Sequence, residues 1–241
     1  RSSMSIYVLV HGAFHGGWCY EKVVPLLEAA GHTAIAVDLP GHGDNRVPME
    51  EVTLDAYVDH VCGVISAQTE PVILVGHSLG GLTITQVAER LSDKVAWVVY
   101  LTAVMPANGQ SRADLAKIEG DNAVASNRIL SEDQLSATMP DAVIKPTFYG
   151  ECSDEDVVRA KERLVPQAVQ IFQQPVRTSP ESFGSVKRAF IECLRDQAIK
   201  IEMQRKMIEL LPCDRVFTID TDHSPFYSAP DELARDLLEL A

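Results

Sequence analysis

VILVGHSLGGLT, residues Val72–Thr83, passes from strand to helix within a few positions. The apolar, β-branched run Val72–Val75 predicts a buried strand that stops at Gly76, and helical spacing resumes over Leu82–Leu91. Ser78 therefore falls on the turn between them, in the pattern G-x-S-x-G. Such a turn is tight, and strand and helix pass so closely that only small residues fit two before and two after the serine. Gly76 and Gly80 hold those positions, and Gly81 doubles the glycine.

Working outward, the same rhythm repeats. Ile6–Val10, Thr33–Val37 and Val95–Thr102 read as further buried strands, with helical stripes over Trp18–Ala30 and Leu54–Ala67 between them. Strands separated by helices predict an α/β fold: a mostly parallel sheet, helices on both faces, right-handed crossovers. From Pro106 to Ser185 the alternation breaks; short helical patterns are interrupted by Pro106, Pro140, Pro146, Pro166 and Pro175. A stretch this long is not a simple loop, and it is expected to be a helical cap inserted over the carboxyl edge of the sheet. The rhythm resumes with strands Arg188–Leu194 and Arg215–Ile219, a helix Ile201–Leu211 and a last helix near Pro230. The expected division is core 1–105, cap 106–185, core 186–241. Arg1-Ser2-Ser3 ahead of Met4 reads as a tag remnant and is set aside.

With 241 residues, 46% hydrophobic, the chain can bury a large single core. Its net charge of −13 argues against nucleic acid and anionic membrane as partners and favours a small neutral substrate. No run is long enough to span a bilayer, and a cytoplasmic monomer or homodimer is expected. The five cysteines lack CxxC spacing and read mostly as reduced core residues. No metal-ligand cluster or phosphate loop is apparent, so neither metal nor cofactor is expected.

Three residues follow separate predicted strands at their carboxyl ends, the edge where open α/β sheets bind ligands: Ser78, Asp196 and His223. A serine hydroxyl is a weak nucleophile unless a histidine takes its proton, and a carboxylate must hold that imidazole in one tautomer. Among the seven histidines, His223 has the right position, between the last strand and the last helix. His77 should point away from Ser78, His11 and His15 should shape the early loop, and His42 and His60 read as a loop and a helix-surface residue. For the acid, Asp222 and Asp214 are poorly placed, and Asp220 remains the rival to Asp196. The loop HGAFHGG after the first strand leaves backbone donors free, so the N–H groups of Ala13 and Leu79 are expected to form an oxyanion hole. Gly12, Phe14, Met105, Phe148, Tyr149, Phe172 and Phe226 are candidate pocket residues, with core packing the competing reading for the apolar cap residues and Phe226.

VLVHGAFHGGWCY (Val8–Tyr20), PLLEAAGH (Pro25–His32), VGHSLGG (Val75–Gly81), FYGECSDED (Phe148–Asp156), FGSVKRAFIECLRDQAI (Phe183–Ile199) and HSPFYSAPDELA (His223–Ala234) together resemble the α/β-hydrolase superfamily. The resemblance is closest to the group of plant methyl esterases, salicylate-binding esterases, polyneuridine aldehyde esterase and hydroxynitrile lyases, with bacterial pyrethroid hydrolases. It implies Ser78, Asp196 and His223 as a triad, selects Asp196 over Asp220, and supports Ala13 and Leu79 as oxyanion donors. It implies a cofactor-independent carboxylesterase that works through an acyl-enzyme. The lyases resemble this chain except for a threonine where Gly12 stands and a lysine where Ser224 stands, so lyase activity is an alternative that these positions disfavour. A non-catalytic small-molecule binding protein on the same fold is the other.

Overall fold

The computed structural model describes residues 4–241, so the tag remnant Arg1-Ser2-Ser3 lies outside the described residues. Strand β1 (Ile6–Val10) is buried along its whole length. A glycine-rich loop and a 3-10 turn, Gly17–Tyr20, lead into α1 (Val24–Ala29) and β2 (Thr33–Ala36). The helix predicted from Trp18 starts late because Pro25, which has no N–H to donate, fits only in a first turn. Helix α2 (Leu54–Ser66) is capped by the Thr53 hydroxyl, which accepts from the Ala56 N–H at 3.0 Å. Then come β3 (Val72–His77), α3 (Gly80–Arg90) and β4 (Val95–Leu101).

Segment 106–185 holds α4 (Arg112–Glu119), α5 (Ala123–Asn127), β5 (Ile129–Leu130), β6 (Ser136–Thr138), α6 (Asp141–Phe148), α7 (Asp154–Lys161) and β7 (Gln167–Ala168). Besides the expected helices, it therefore contains an antiparallel sheet in the order β5-β6-β7. Strands this short carry too few residues to display a period of two, and the sequence reading missed them. The chain closes with β8 (Lys187–Cys193), α8 (Ile201–Leu210), β9 (Arg215–Ile219), α9 (Pro225–Ser228) and α10 (Pro230–Leu238).

The main sheet runs β2-β1-β3-β4-β8-β9, every neighbouring pair parallel. All six strands therefore end at one edge. The order reverses direction between β1 and β3, which opens a crevice between the loops that follow these two strands. Alternate strand residues feed two cores. Val8, Leu74, Val98 and Phe190 pack with α2, α3 and α8 on one face; Leu9, Val75, Val99 and Ile191 pack with α1, α9 and α10 on the other. Each such fully buried side chain contributes roughly 1.5–3 kcal/mol relative to exposure. The Tyr7 hydroxyl donates to the Leu237 carbonyl at 2.8 Å and pins the last helix to β1.

Segment 106–185 is bound to the early loops. The Val165 N–H donates to the Phe14 carbonyl at 2.9 Å, Lys22 pairs with Asp156 at 2.7 Å, and Glu21 takes both Arg159 and Arg163 at 2.6 Å. The five cysteines are free, four of them buried, as expected of core residues. Among the described residues no helix is long and apolar enough to cross a membrane.

Candidate active site

The β3–α3 junction is built by close approach. A Cβ on Gly76 would lie 2.8 Å from the Gly80 carbonyl oxygen, one on Gly80 2.7 Å from that of His11, and one on Gly81 1.7 Å from that of Val104. These glycines let α3 begin at Gly80, two residues before the predicted Leu82. Between them Ser78 has φ 54°, a left-handed conformation that costs a non-glycine residue about 1–3 kcal/mol. The carbonyl of Ser78 accepts from the N–H groups of Gly81 and Val104, both at 3.1 Å, which holds the turn.

His223 follows β9 and is 1% exposed. Its Nδ1 lies 2.6 Å from Asp196 Oδ2, and Asp196, which follows β8, is equally buried. The carboxylate is fully occupied: Oδ2 also accepts from the Thr102 hydroxyl at 2.5 Å, and Oδ1 accepts from the N–H groups of Ala198 and Ile199 at 2.7 and 2.8 Å. Thr102, at the end of β4, has φ 37°. The other aspartates are engaged elsewhere. Asp220 pairs with Arg195 at the surface, Asp214 accepts from the Arg188 N–H, and Asp222 accepts from Glu151, Ser224 and Ser228, tying α9 to the segment after α6.

The remaining histidines near the edge are structural and neutral. His77 turns away from Ser78, its Nε2 donating to the His223 carbonyl at 2.6 Å. The Nδ1 of His11 donates to the Gly12 carbonyl, leaving Nε2 to accept from the Leu39 N–H at 3.1 Å. His15 Nδ1 donates to the Ala13 carbonyl and its Nε2 faces the Tyr149 hydroxyl; His42 links the His15 carbonyl to the Tyr57 hydroxyl. Burial lowers the pKa of all four, to about 4 for His15 and His42.

The loop after β1 abuts the elbow. A Cβ on Gly12 would sit 2.8 Å from the His77 carbonyl oxygen and 2.9 Å from Ser78 Cβ, so glycine permits the approach that brings Ala13 beside Leu79. Among the described residues neither the Ala13 nor the Leu79 N–H is committed to another hydrogen bond. The next residue, Phe14, has φ 68° and donates its N–H to Gln167 Oε1 at 3.2 Å. Among the described residues, three of the four non-glycine residues with positive φ, Phe14, Ser78 and Thr102, thus surround this one site. Strain of this kind persists where the surroundings over-determine it.

Ser78, His223, Ala13 and Leu79 line a cavity of about 170 Å³ between the sheet edge and segment 106–185. Of the seven pocket candidates, Phe14, Phe148 and Phe172 line it, and Gly12, Met105, Tyr149 and Phe226 do not. Met105 is buried against Met207 and Cys213, and Phe226 against Tyr20 and His77. Tyr149 is held behind the wall by His15. Arg112, Asn122 and Arg128, which the sequence reading did not single out, line the cavity instead.

Residues 7–236 match the family model described as the alpha/beta hydrolase family. The chain belongs to that family. Among its alpha/beta-hydrolase relatives, salicylic acid-binding protein 2 of Nicotiana tabacum is 33% identical over 98% of this chain and 96% of its own length. The putative chloroplastic methylesterase 11 of Arabidopsis thaliana is 32% identical over 98% of this chain, which spans 63% of that relative's length. The crystal structure of polyneuridine aldehyde esterase superposes with a TM-score of 0.90 at 30% identity, covering 99% of each chain. The alpha/beta-hydrolase sheet, with its crevice between β1 and β3, is what carries Ser78 and the Ala13 loop to one cavity.

Proposed function

We propose that this alpha/beta hydrolase is a cofactor-independent serine carboxylesterase acting on a small ester. The observation that carries this reading is that His223, its Nδ1 2.6 Å from Asp196, lines the same cavity as Ser78 on its strained turn. Ser78 Oγ attacks the ester carbonyl while His223 takes its proton at Nε2, and Asp196 holds the ring and stabilises the imidazolium. The Ala13 and Leu79 N–H groups receive the negative charge that develops on the carbonyl oxygen. Collapse breaks the acyl C–O bond, His223 protonates the departing alcohol, and an acyl-enzyme remains. Water, deprotonated by His223, then attacks the acyl carbon and releases the acid and the serine. The methylesterases among its relatives support the esterase class.

Turnover of p-nitrophenyl acetate and labelling by a fluorophosphonate probe test this. The wild-type chain is expected to hydrolyse the ester and to be labelled at Ser78; Ser78→Ala should lose labelling and about 10⁶-fold in kcat. Binding without turnover across methyl, aryl and bulky esters would instead identify a binding protein. Cyanide release from mandelonitrile would identify a lyase. It is not expected, because Gly12 offers no hydroxyl and Ser224 Oγ is buried and uncharged.

A further inference from the structure

The wall that α4 and α5 contribute to the cavity differs from the apolar one made by Phe14, Phe148 and Phe172. Arg112, the first residue of α4, is only 9% exposed. Its Nη2 donates to Glu119 Oε1 at 3.1 Å, and the same oxygen accepts from Asn122 Nδ2 at 2.6 Å. The other end of the guanidinium, Nη1, is buried with no partner among the described residues. A buried N–H on a cation that finds no acceptor is costly, and protein sites rarely leave one so unless something else occupies the space. Arg128 lines the same cavity with its guanidinium 5.2 Å from the centre of the Phe172 ring, and among the described residues no carboxylate pairs with it. Two arginines, Arg112 and Arg128, therefore line the cavity, while Glu119, the carboxylate that holds Arg112, does not. The net charge of −13 favours an uncharged ligand at long range, but this wall is a local exception.

We infer that the cavity takes an ester bearing a second, anionic oxygen group, a carboxylate remote from the scissile bond, which Arg112 Nη1 binds. The inference rests on the esterase reading of the same site and names its substrate class. Guanidinium suits the task because its planar fork grips Glu119 with one nitrogen and offers another to the ligand. In the reaction the remote carboxylate is unchanged. Water adds across the acyl C–O bond, giving the second acid and the alcohol, whose proton comes through His223. Because Arg112 contacts the substrate before and during reaction alike, its contribution belongs mainly to KM.

Two series of substrates test this and separate the acyl from the alcohol side. One is monomethyl glutarate, adipate and suberate against methyl alkanoates of equal length; the other is acetoxy carboxylates against simple alkyl acetates. In at least one series the carboxylate member is expected to have kcat/KM about tenfold or more above its match, mostly through KM. That advantage should collapse in the double variant Arg112→Met with Glu119→Gln, which removes the buried pair together and avoids a stranded carboxylate, and should return in part in Arg112→Lys. Equal rates for charged and uncharged esters, or an advantage that survives loss of Arg112, would overturn the inference. Failure of the esterase reading is recognised separately, by absence of both p-nitrophenyl acetate turnover and fluorophosphonate labelling. In that event thermal shift with adipate decides: a shift that the double variant lacks upholds the anionic subsite, and no shift in the wild-type chain overturns it.

Discussion

At the scale of single residues, the site is distinguished by how completely its acid is used. Asp196 accepts four hydrogen bonds, from His223, Thr102, Ala198 and Ile199, so its carboxylate has one orientation and one imidazole tautomer to select. Asp220, its rival in sequence, has a 71% exposed side chain and an Arg195 partner. Exposed pairs of this kind contribute little. Asp196→Asn is therefore expected to lower kcat for p-nitrophenyl acetate by about 10⁴-fold, as an amide that favours the wrong tautomer does elsewhere. Asp220→Asn should change it by no more than about twofold, and the reverse ranking would move the acid to Asp220. Thr102 and Arg112 escaped the sequence reading for the same reason. A threonine ending a strand and an arginine opening an amphipathic helix are ordinary locally, and only tertiary packing turns one toward Asp196 and the other into the cavity.

At the scale of elements, the elbow depends on backbone proximity, and glycines separate close contacts from open ones. A Cβ at Gly81 would penetrate the Val104 backbone, 1.7 Å from its oxygen, at a point where the Val104 N–H also bonds the Ser78 carbonyl. Gly63, on the exposed side of α2, has nothing within 4 Å of a Cβ. Urea unfolding should show Gly81→Ala destabilised by about 3 kcal/mol and Gly63→Ala stabilised by about 0.5–1 kcal/mol. Equal effects would mean that the elbow relaxes around the added carbon. This contact also indicates what was legible. Apolar runs, with the glycines of the elbow, exposed five strands of the main sheet: β1, β3 and β4 are buried parallel strands that write continuous hydrophobic stretches, whereas the edge strand β2, expected to be buried, is only half-buried. The sixth, β9, was recognised although its alternate residues are exposed. Segment 106–185 was not legible in the same way: its strands hold two or three residues, and an apolar side chain such as Tyr149 gives no sign of whether it faces a cavity or the layer beneath it, a difficulty shared by Met105 and Phe226 outside the segment.

At the scale of the whole molecule, the cluster of neutral histidines under the site couples stability to acid. His11, His15, His42 and His77 are each buried and each commit one protonated nitrogen to a backbone carbonyl. A second proton is poorly accommodated: Nε2 of His11 faces the Leu39 N–H, Nδ1 of His77 is enclosed without a partner, and Nε2 of His15 and of His42 meets only a neutral tyrosine hydroxyl, which does not offset the cost of burying a charge. Desolvation is the leading cause of the lowered pKa of all four, with His15 and His42 at about 4 against 6.5 in an unfolded chain. Since the folded values are the lower ones, the unfolded chain binds more protons across this window, and stability present above pH 6.5 is lost as pH falls toward 4. Each group contributes about 1.4 kcal/mol per pH unit within its window, so His15 and His42 alone withdraw about 3 kcal/mol apiece by its lower end. Asp236, raised to about 6 by burial, acts in the opposite direction but is one half-buried group against four enclosed ones. Carboxylates held low, such as Glu21 and Glu89, are lost only below their usual range and leave the upper part of the window to the histidines. Urea unfolding at pH 7.5, 6.0 and 5.0 should therefore give free energies that fall steeply below 6.5, with proton uptake on unfolding measurable by calorimetry in two buffers of different ionisation enthalpy. A free energy that stays level from pH 7.5 to 5.0 would require these histidines to be protonated inside the fold, and with them a different hydrogen-bond arrangement beneath Ser78.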